Sequence, residues 1–550
     1  MTRLVVVGNG MVGSRFVEDL LAADLAGRFR VTVLGDEPCE PYNRVLLSEV
    51  VAGRYDLASL TLPTSADPRL EVRRGTAAVS IDREDRAVID AGGCRHRYDQ
   101  LVLATGAAAR IPAIPGLRAD DGGTARGVHA LRSIDDAREI IAATLNARRA
   151  VVLGAGVLGL EAAAGLARRG VPVTVVHPMS ALMERQLDEA ASRVVEQAMQ
   201  QAGIDHRVGV GAEEVLVEAG RLRGLRLGNG EVVETDLLVV STGTVANAAI
   251  AAEAGLRTQR GILVTPAMAT LDDRRIFAIG DCAQPPEGSS GLVAQGWEQA
   301  KTLVGHLTSA TTGIEMRQPA RSTARAASPH GRSTAAPATS PMASPTTPAA
   351  SPTQDAGRKN DVVRLKADGL DVVTMGICGS ERDPEPAHRV VQLSDPAAGR
   401  HVEVVVSGGQ LVGATCVGAG ALAADLVAAY TRRTPTPADP AYLLLRPTAG
   451  SAAPVVSPAD LPDAATVCRC NGVSKGEILD CASQGGSSLG EVARRTRATT
   501  GCGSCREDVC ALLTLAQAPE TEVSPQATGR SEDRFTNGKH LLHSAETRAS

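Results

Sequence analysis

Up to about Leu307 the chain alternates short apolar runs with longer segments in which apolar residues recur at helical spacing. The runs RLVVVG, RVTVLG, AVVLGAG and VPVTVV are aliphatic and β-branched, with no polar alternation. A strand that is apolar on both faces needs cover on both, and the helical stretches between the runs can supply it. The pattern predicts parallel strands with helices on either side. From about Arg317 to Asn360 it stops. The stretch ARAASPHGRSTAAPATSPMASPTTPAASPT offers nothing to bury and reads as a disordered linker. A linker of about 44 such residues spans roughly 35–40 Å on average. Order returns at DVVRLKADGLDVVTMGI, RVVQLSD and RHVEVVVSGGQLVGATCVG, where SGG is a hairpin signal, followed by the helical GALAADLVAAYTRR.

Two of the apolar runs end in glycine fingerprints. VVVGNGMVGSRFVEDLL places Gly8, Gly10 and Gly13 between a strand and a helix. The first glycine permits a tight turn, the second lets a pyrophosphate approach the backbone, and the third lets helix and strand pack closely. The helix N-terminus then faces the phosphates with its positive end. A second run, VTVLGDE, ends with Asp36 and Glu37, where a ribose hydroxyl needs an acceptor. AVVLGAGVLGLEAAAGLARRGVPVTVVH repeats the pattern with Gly154, Gly156 and Gly159, but its second strand ends in His177. The choice between NADH and NADPH stays open there. Arg185 is a candidate for a 2′-phosphate, with a solvated arginine as the competing reading.

LVLATGAAARIP contributes Thr105 and Gly106, and RRIFAIGDCA contributes Gly280 and Asp281. In this order the four motifs resemble the two-dinucleotide-binding-domain flavoprotein reductases. The resemblance implies that the first loop binds FAD, that the second binds NAD(P)H, and that Asp281 contacts the FAD ribityl chain. PYNRVLLSE, residues 41–49, is similar to that family's FAD-contacting PYxRxxLS stretch, which adds Arg44 and Ser48. Glu161 matches a glutamate that lies near flavin and nicotinamide in relatives, and a helix N-terminal acid favoured by the dipole is the competing reading. The segment STGTVAN departs from the family's ATGIRPN by losing Arg and Pro. No redox cysteine pair of the form CxxxxC lies in the first helical region, and PYNRVLL holds no cysteine. Cys39 and Cys282 read as packed thiols. Electrons reaching the flavin therefore need another exit.

That exit is expected near the C-terminus. Cys468 and Cys470 are followed, after 31 residues, by Cys502 and Cys505. Four thiolates suit zinc or an iron–sulfur cluster. Between the pairs, SKGEILDCASQG and SLGEVARRT each open with Ser and carry Glu three residues on, as in a capping box, so two short helices are expected. CRCNGVSKGEI and TGCGSC resemble the bacterioferritin-associated-ferredoxin-like (BFD-like) [2Fe-2S] domain, which implies that these four cysteines hold a [2Fe-2S] cluster. Arg494, Arg495 and Arg497 raise the cluster potential or form a solvated face. Cys481 and Cys510 read as packing residues.

The resulting class is α/β with two Rossmann-like domains. FAD is expected on residues 1–112 and 241–310, and NAD(P) on 113–240. A Ser/Pro/Ala linker over 317–360, a small α+β domain over 361–446 and a second linker over 447–460 follow. The helical [2Fe-2S] domain over 464–515 and a loose tail over 518–550 complete the chain. NGMVGSRF, VVHPMSALMERQLD and CNGVSKGEI carry a likeness to the front half of the NAD(P)H nitrite reductase large subunit and to the electron-transfer subunit of assimilatory nitrate reductase. That likeness implies NAD(P)H oxidation through FAD and the cluster, with no general acid or base needed. The partner it implies is a molybdenum nitrate reductase catalytic subunit, or else a separate sirohaem nitrite reductase. No sirohaem cysteine set follows Cys510, so nitrite chemistry is not expected on this polypeptide. A redox- or iron-sensing binding protein is the reading from another class, and a homodimer stays open.

Composition narrows this further. With 43% hydrophobic and only 2% aromatic residues, the cores must be aliphatic. A net charge of -5 argues against nucleic acid as a partner. No run of eighteen apolar residues predicts a membrane span. The first apolar run ends in a glycine loop, unlike a signal peptide. Eleven cysteines without a secretory signal point to metal or redox chemistry in the cytoplasm.

Overall fold

The computed structural model of the chain describes residues 1–119, 122–309, 361–379, 387–444, 457–468, 471–501 and 503–517. The expected linker over 317–360, the tail over 518–550, residues 447–456 of the second linker, and Cys470 and Cys502 lie outside the described residues.

Two five-stranded parallel sheets carry the N-terminal part. In the first, Ile276–Ala278, Gln100–Leu103, Thr2–Val7, Phe29–Leu34 and Leu70–Arg73 lie side by side in that order. In the second the order is Ile204–Val208, Val173–His177, Ala150–Leu153, Leu237–Val240 and Val128–Ala130. The unbroken apolar runs become central strands because both faces are covered, and every residue of Ala150–Leu153 and Leu237–Val240 is buried. The second sheet corrects the expectation of helices on both faces. There Ala150, Val152 and Val239 pack on helices such as Val157–Arg168, whereas Val151, Leu153 and Val240 pack on the antiparallel strands Ala212–Glu218 and Arg221–Leu227. In each sheet the glycine-bearing strand is where the strand order reverses, so a crevice opens at its carboxyl end. The helix Met11–Ala23 presses Phe16, Val17, Leu20 and Leu21 onto the first sheet, and Val293–Ser309 adds Leu303 and Leu307.

A third sheet is antiparallel, in the order Val363–Arg364, Val372–Gly376, Gln410–Val417, Arg400–Ser407 and Arg389–Asp395. The helix Gly420–Arg432 packs Leu422, Leu426 and Val427 against Met375 and Val404. SGG closes the hairpin that pairs Ser407 with Gln410. This sheet is not a separate body. A single core joins Tyr42, Leu46, Leu47 and Val50 to Leu160, Ala163 and Leu166 of the helix Val157–Arg168, and both groups to Leu365, Leu370 and Val372.

In the C-terminal module, helices Lys475–Ser483 and Leu489–Thr496 both start from complete capping boxes, Ser474 with Glu477 and Ser488 with Glu491. The backbone amides of Ser474 and Ser488 hold the two glutamates below the usual carboxylate range. A third helix, Arg506–Gln517, was not expected and buries Val509, Leu512 and Leu513 against Ile478 and Val492. Cys481 is packed, as expected, whereas Cys510 is exposed. Cys510 is turned about 100° from Val509, off the face that Val509, Leu512 and Leu513 bury.

The two nucleotide loops share one backbone. Gly8 and Gly154 have φ of 110° and 109°. A Cβ on Gly13 would collide with the carbonyl of Gly8, and one on Gly159 with that of Gly154, whereas a Cβ on Gly10 or Gly156 would meet nothing within 4 Å. Gly13→Ala and Gly159→Ala are therefore expected to lower stability by about 1–3 kcal/mol through overpacking. Gly10→Ala and Gly156→Ala should leave the urea unfolding midpoint unchanged. Equal effects from all four would refute this division of labour.

Candidate functional site

Each glycine loop leads into a helix whose N-cap, Gly10 or Gly156, is extended and makes no side-chain cap. The first-turn amides and the positive dipole end are left open to an anion. Around the first loop, Gly10, Gly35, Asp36, Glu37, Tyr42 and Arg44 line a polar cleft. Asn9 Nδ2 in that cleft is buried and has no hydrogen-bond partner among the described residues. A buried donor without an acceptor is costly, and the oxygens of a nucleotide relieve it. Asp36 is exposed at the strand end. Glu37 accepts from Tyr42 Oη at 2.8 Å and pairs with Arg44, whose guanidinium lies 4.6 Å from the centre of the Tyr42 ring. Burial, reinforced by Glu37, pushes the Tyr42 hydroxyl well above its ordinary range and keeps it a donor. Cys39, expected as a packed thiol, is exposed in the loop beside Glu37. Cys282 is fully buried, and burial pushes its thiol up.

The remaining motifs of the first unit converge through a residue the sequence did not single out. Arg132 donates to Asp281 Oδ2 at 2.7 Å and to the Ala107 carbonyl at 2.9 Å, while Arg44 donates to the Arg132 carbonyl at 3.2 Å. The contact partners are 149 and 88 residues away along the chain, so no local pattern marked Arg132. Gly280 N–H donates to Gln299 Oε1 at 2.7 Å, which pins the GD turn to the helix Val293–Ser309. Thr105 Oγ1 donates to the Asn247 carbonyl at 2.6 Å, and Asn247 Nδ2 returns a bond to the Thr105 carbonyl at 2.9 Å. The divergent STGTVAN segment is thus tied to the ATG loop. The Gly106 carbonyl accepts from the Asn247 amide, and Ala107–Ala109 pairs antiparallel with Thr244–Ala246.

Glu161 is the buried centre of a second cluster. It lies in the second turn of Val157–Arg168, with its side chain only 2% exposed. Ser48 Oγ donates to one carboxylate oxygen at 2.6 Å. The other accepts from Lys366 twice, from the backbone N–H at 3.1 Å and from Nζ at 2.6 Å. Arginine supplies nearly all the positive charge of this chain, so a half-buried lysine paired with a buried acid is unusual here. Lys366 is 205 residues from Glu161 and was invisible to sequence reasoning. Beside the pair lies a cavity of about 500 Å³. Its walls are Leu46, Glu49, Arg54 and Tyr55 of the first unit, residues 365–371 of the third sheet, and Gly503 and Ser504. Burial lifts the Glu49 carboxyl above its usual range even though Arg54 pairs with it at 3.0 Å.

The cysteine module is docked on the first unit. Arg497 bridges Glu18 at 2.9 Å and Asp19 at 2.8 Å. Arg15 donates to Asn471 Oδ1 at 2.8 Å, and the Asn43 amide donates to the carbonyls of Thr500 and Gly501 at 2.9 and 2.6 Å. Arg506 stacks 5.3 Å from the Tyr55 ring. Arg497 is left-handed, with φ of 63°. A non-glycine residue adopts that conformation rarely, and here it caps the helix Leu489–Thr496 while aiming its side chain across the interface. Arg495 bonds Gln484 and Arg494 pairs with Glu491, so those two form the outer face. Cys468 and Cys505 are buried in one core, and Asn471 Nδ2 donates to Cys468 Sγ at 3.7 Å. Buried thiols with an amide donor nearby fit the sulfur ligation of a cluster. No helix among the described residues is long and apolar enough to cross a membrane.

Two glycine-loop nucleotide crevices and a buried thiol module meeting at one junction define a two-nucleotide redox protein. The chain belongs to the pyridine nucleotide-disulphide oxidoreductase family, which it matches over residues 2–306, and residues 466–514 match the BFD-like [2Fe-2S] binding domain. Its cofactors are accordingly FAD, NAD(P)H and a [2Fe-2S] cluster. It is 31% identical over 528 residues to the nitrite reductase [NAD(P)H] of Bacillus subtilis, covering 95% of this chain and 59% of that protein. It is 28% identical over 534 residues to the assimilatory nitrate reductase electron transfer subunit of the same species, covering 95% of this chain and 61% of that protein. The chain thus spans about three fifths of these relatives. Among solved structures, a ferredoxin reductase from Rhodopseudomonas palustris is 26% identical with a TM-score of 0.60, covering 76% of this chain and 91% of that one.

Lys366→Met strands a buried carboxylate and is expected to destabilise the protein by about 3–5 kcal/mol, much of it recovered when Glu161→Gln is added. A double-mutant cycle on urea unfolding checks this, and additive effects would count against the pair. Arg497→Glu is expected to release the docked module, and Glu18→Arg added to it should restore docking. Hydrogen exchange over residues 41–55 and 497–506 reports both outcomes.

Proposed function

We propose that this protein draws electrons from NAD(P)H and delivers them to a separate acceptor, a molybdenum-containing nitrate reductase. When bound, the nicotinamide supplies a hydride, the flavin converts two-electron to one-electron transfer, and the cluster carries single electrons. The rest of the work is positioning by this chain. Gly8, Gly10 and Gly13 open the first helix to a pyrophosphate, with Asp36 and Glu37 as ribose acceptors and Arg44, Thr105, Gly106, Gly280 and Asp281 around the flavin end. Gly154, Gly156 and Gly159 do the same for the nicotinamide nucleotide. Glu161, held by Ser48 and Lys366, keeps a fixed negative charge where the two crevices approach each other. Cys468, Cys470, Cys502 and Cys505 are the proposed cluster ligands.

One observation carries this reading. The segment from Arg497 to Arg506 contacts the first unit at Asn43 and Tyr55, in the same 43–55 stretch that carries Ser48, the partner of Glu161. That contact supports the reading, because the segment carries Cys505, one of the proposed cluster ligands, next to the stretch proposed to hold the flavin. Cys39, Cys94 and Cys510 are exposed and free, which supports a reducing compartment such as the cytoplasm. The names of the relatives support nitrate or nitrite reduction as the destination.

Anaerobic addition of NADH to the purified protein is expected to bleach the flavin and then raise the EPR signal of a reduced [2Fe-2S] cluster. Adding the molybdenum nitrate reductase subunit should then sustain NADH oxidation. Bleaching without the EPR signal sinks the relay. Turnover only with a sirohaem nitrite reductase reassigns the acceptor.

A further inference from the structure

The strand Val173–His177 ends where a nucleotide-binding unit needs its ribose acceptor, and His177 stands there instead of an acid. The side chain is 9% exposed and both its ring nitrogens are engaged. Nδ1 accepts the backbone N–H of Ala155, within the second glycine loop, at 3.3 Å. A nitrogen that accepts carries no proton, so the ring hydrogen is on Nε2 and is donated to Glu184 Oε2 at 3.1 Å. The ring is thus a neutral spacer. It carries the loop's hydrogen bond on one side and holds a carboxylate on the other. The Glu184 side chain is about one third exposed, so it keeps acceptor capacity beyond the histidine bond, close to the second glycine loop that His177 also contacts. Its loop is anchored by the Met183 N–H, which donates to the Ala155 carbonyl at 2.9 Å. Arg185, the sequence-level candidate for a 2′-phosphate, is exposed, while its neighbour Glu184 faces the histidine.

We infer that Glu184, positioned by His177, is the displaced ribose acceptor of the second nucleotide unit and selects NADH over NADPH. The inference rests on the reading that this loop holds the nicotinamide nucleotide. A free ribose 2′-hydroxyl donates to the Glu184 carboxylate. A 2′-phosphate brings at least one further negative charge to the same point and offers no donor in return. Both effects act on binding, and neither reaches the hydride-transferring end of the nucleotide.

The test is stopped-flow reduction of the flavin in the full-length FAD-loaded protein, with NADH and NADPH in parallel. Wild type is expected to bind NADH at least about tenfold tighter, the equivalent of 1.4 kcal/mol. Glu184→Gln should narrow that ratio by weakening NADH and strengthening NADPH, with the limiting rate at saturating NADH unchanged. Adding His177→Asp to Glu184→Gln, which puts an acid directly at the strand end, should restore the preference. A purely structural role for Glu184 would change both nucleotides alike and would not be rescued. Equal wild-type affinities, or a ratio unmoved by Glu184→Gln, overturn the inference alone. Failure of both nucleotides to reduce the flavin overturns the site reading with it.

Discussion

The Glu161 carboxylate is the constraint on which the rest of the structure depends. A buried anion without partners is not tolerated, and the N-terminal dipole of its own helix cannot satisfy two oxygens. Ser48 reaches it from the first nucleotide unit and Lys366 from the antiparallel sheet. Three segments that are far apart along the chain must therefore meet at one point in one register. The apolar core around them, from Leu46 to Leu365, follows the same alignment. Hydrophobic packing alone would accept several sliding arrangements of these faces. The ion pair accepts one.

The same junction brings the chemistry together. The two glycine loops share the same left-handed first glycine and the same close backbone approach at the third, yet their strand ends differ. One offers Asp36 and Glu37, the other a histidine backed by Glu184. Similar glycine loops are thereby given different polar groups at their strand ends. The thiol module reaches the junction through charge and not through a large apolar face. Arg497 on Glu18 and Asp19 is only partly buried, with side chains between about a fifth and a third exposed, so screening by salt weakens it.

Much of this was legible along the chain. Strands buried on both faces leave unbroken apolar runs, and a dinucleotide loop needs its glycines at fixed offsets because backbone atoms collide otherwise. The capping boxes at Ser474 and Ser488 were legible for the same reason, since each closes within four residues. The third helix of the module was missed because its apolar positions begin only at Val509, after the polar Arg506–Asp508. Cys39 and Cys510 were placed inside and lie outside, since a single cysteine carries no information about depth.

The sequence by itself determined the local devices: the two loops, the order of the motifs, the hairpin at SGG and the paired thiols. Each is set by steric or hydrogen-bonding rules acting over a few residues. Only the tertiary structure decided which charges meet. Arg132 with Asp281, Lys366 with Glu161 and Arg497 with Glu18 join residues 149, 205 and 479 positions apart. An arginine or lysine reads the same in sequence whether it is solvated or is the partner of a buried acid. What distinguishes the two is the desolvation imposed by the surrounding fold.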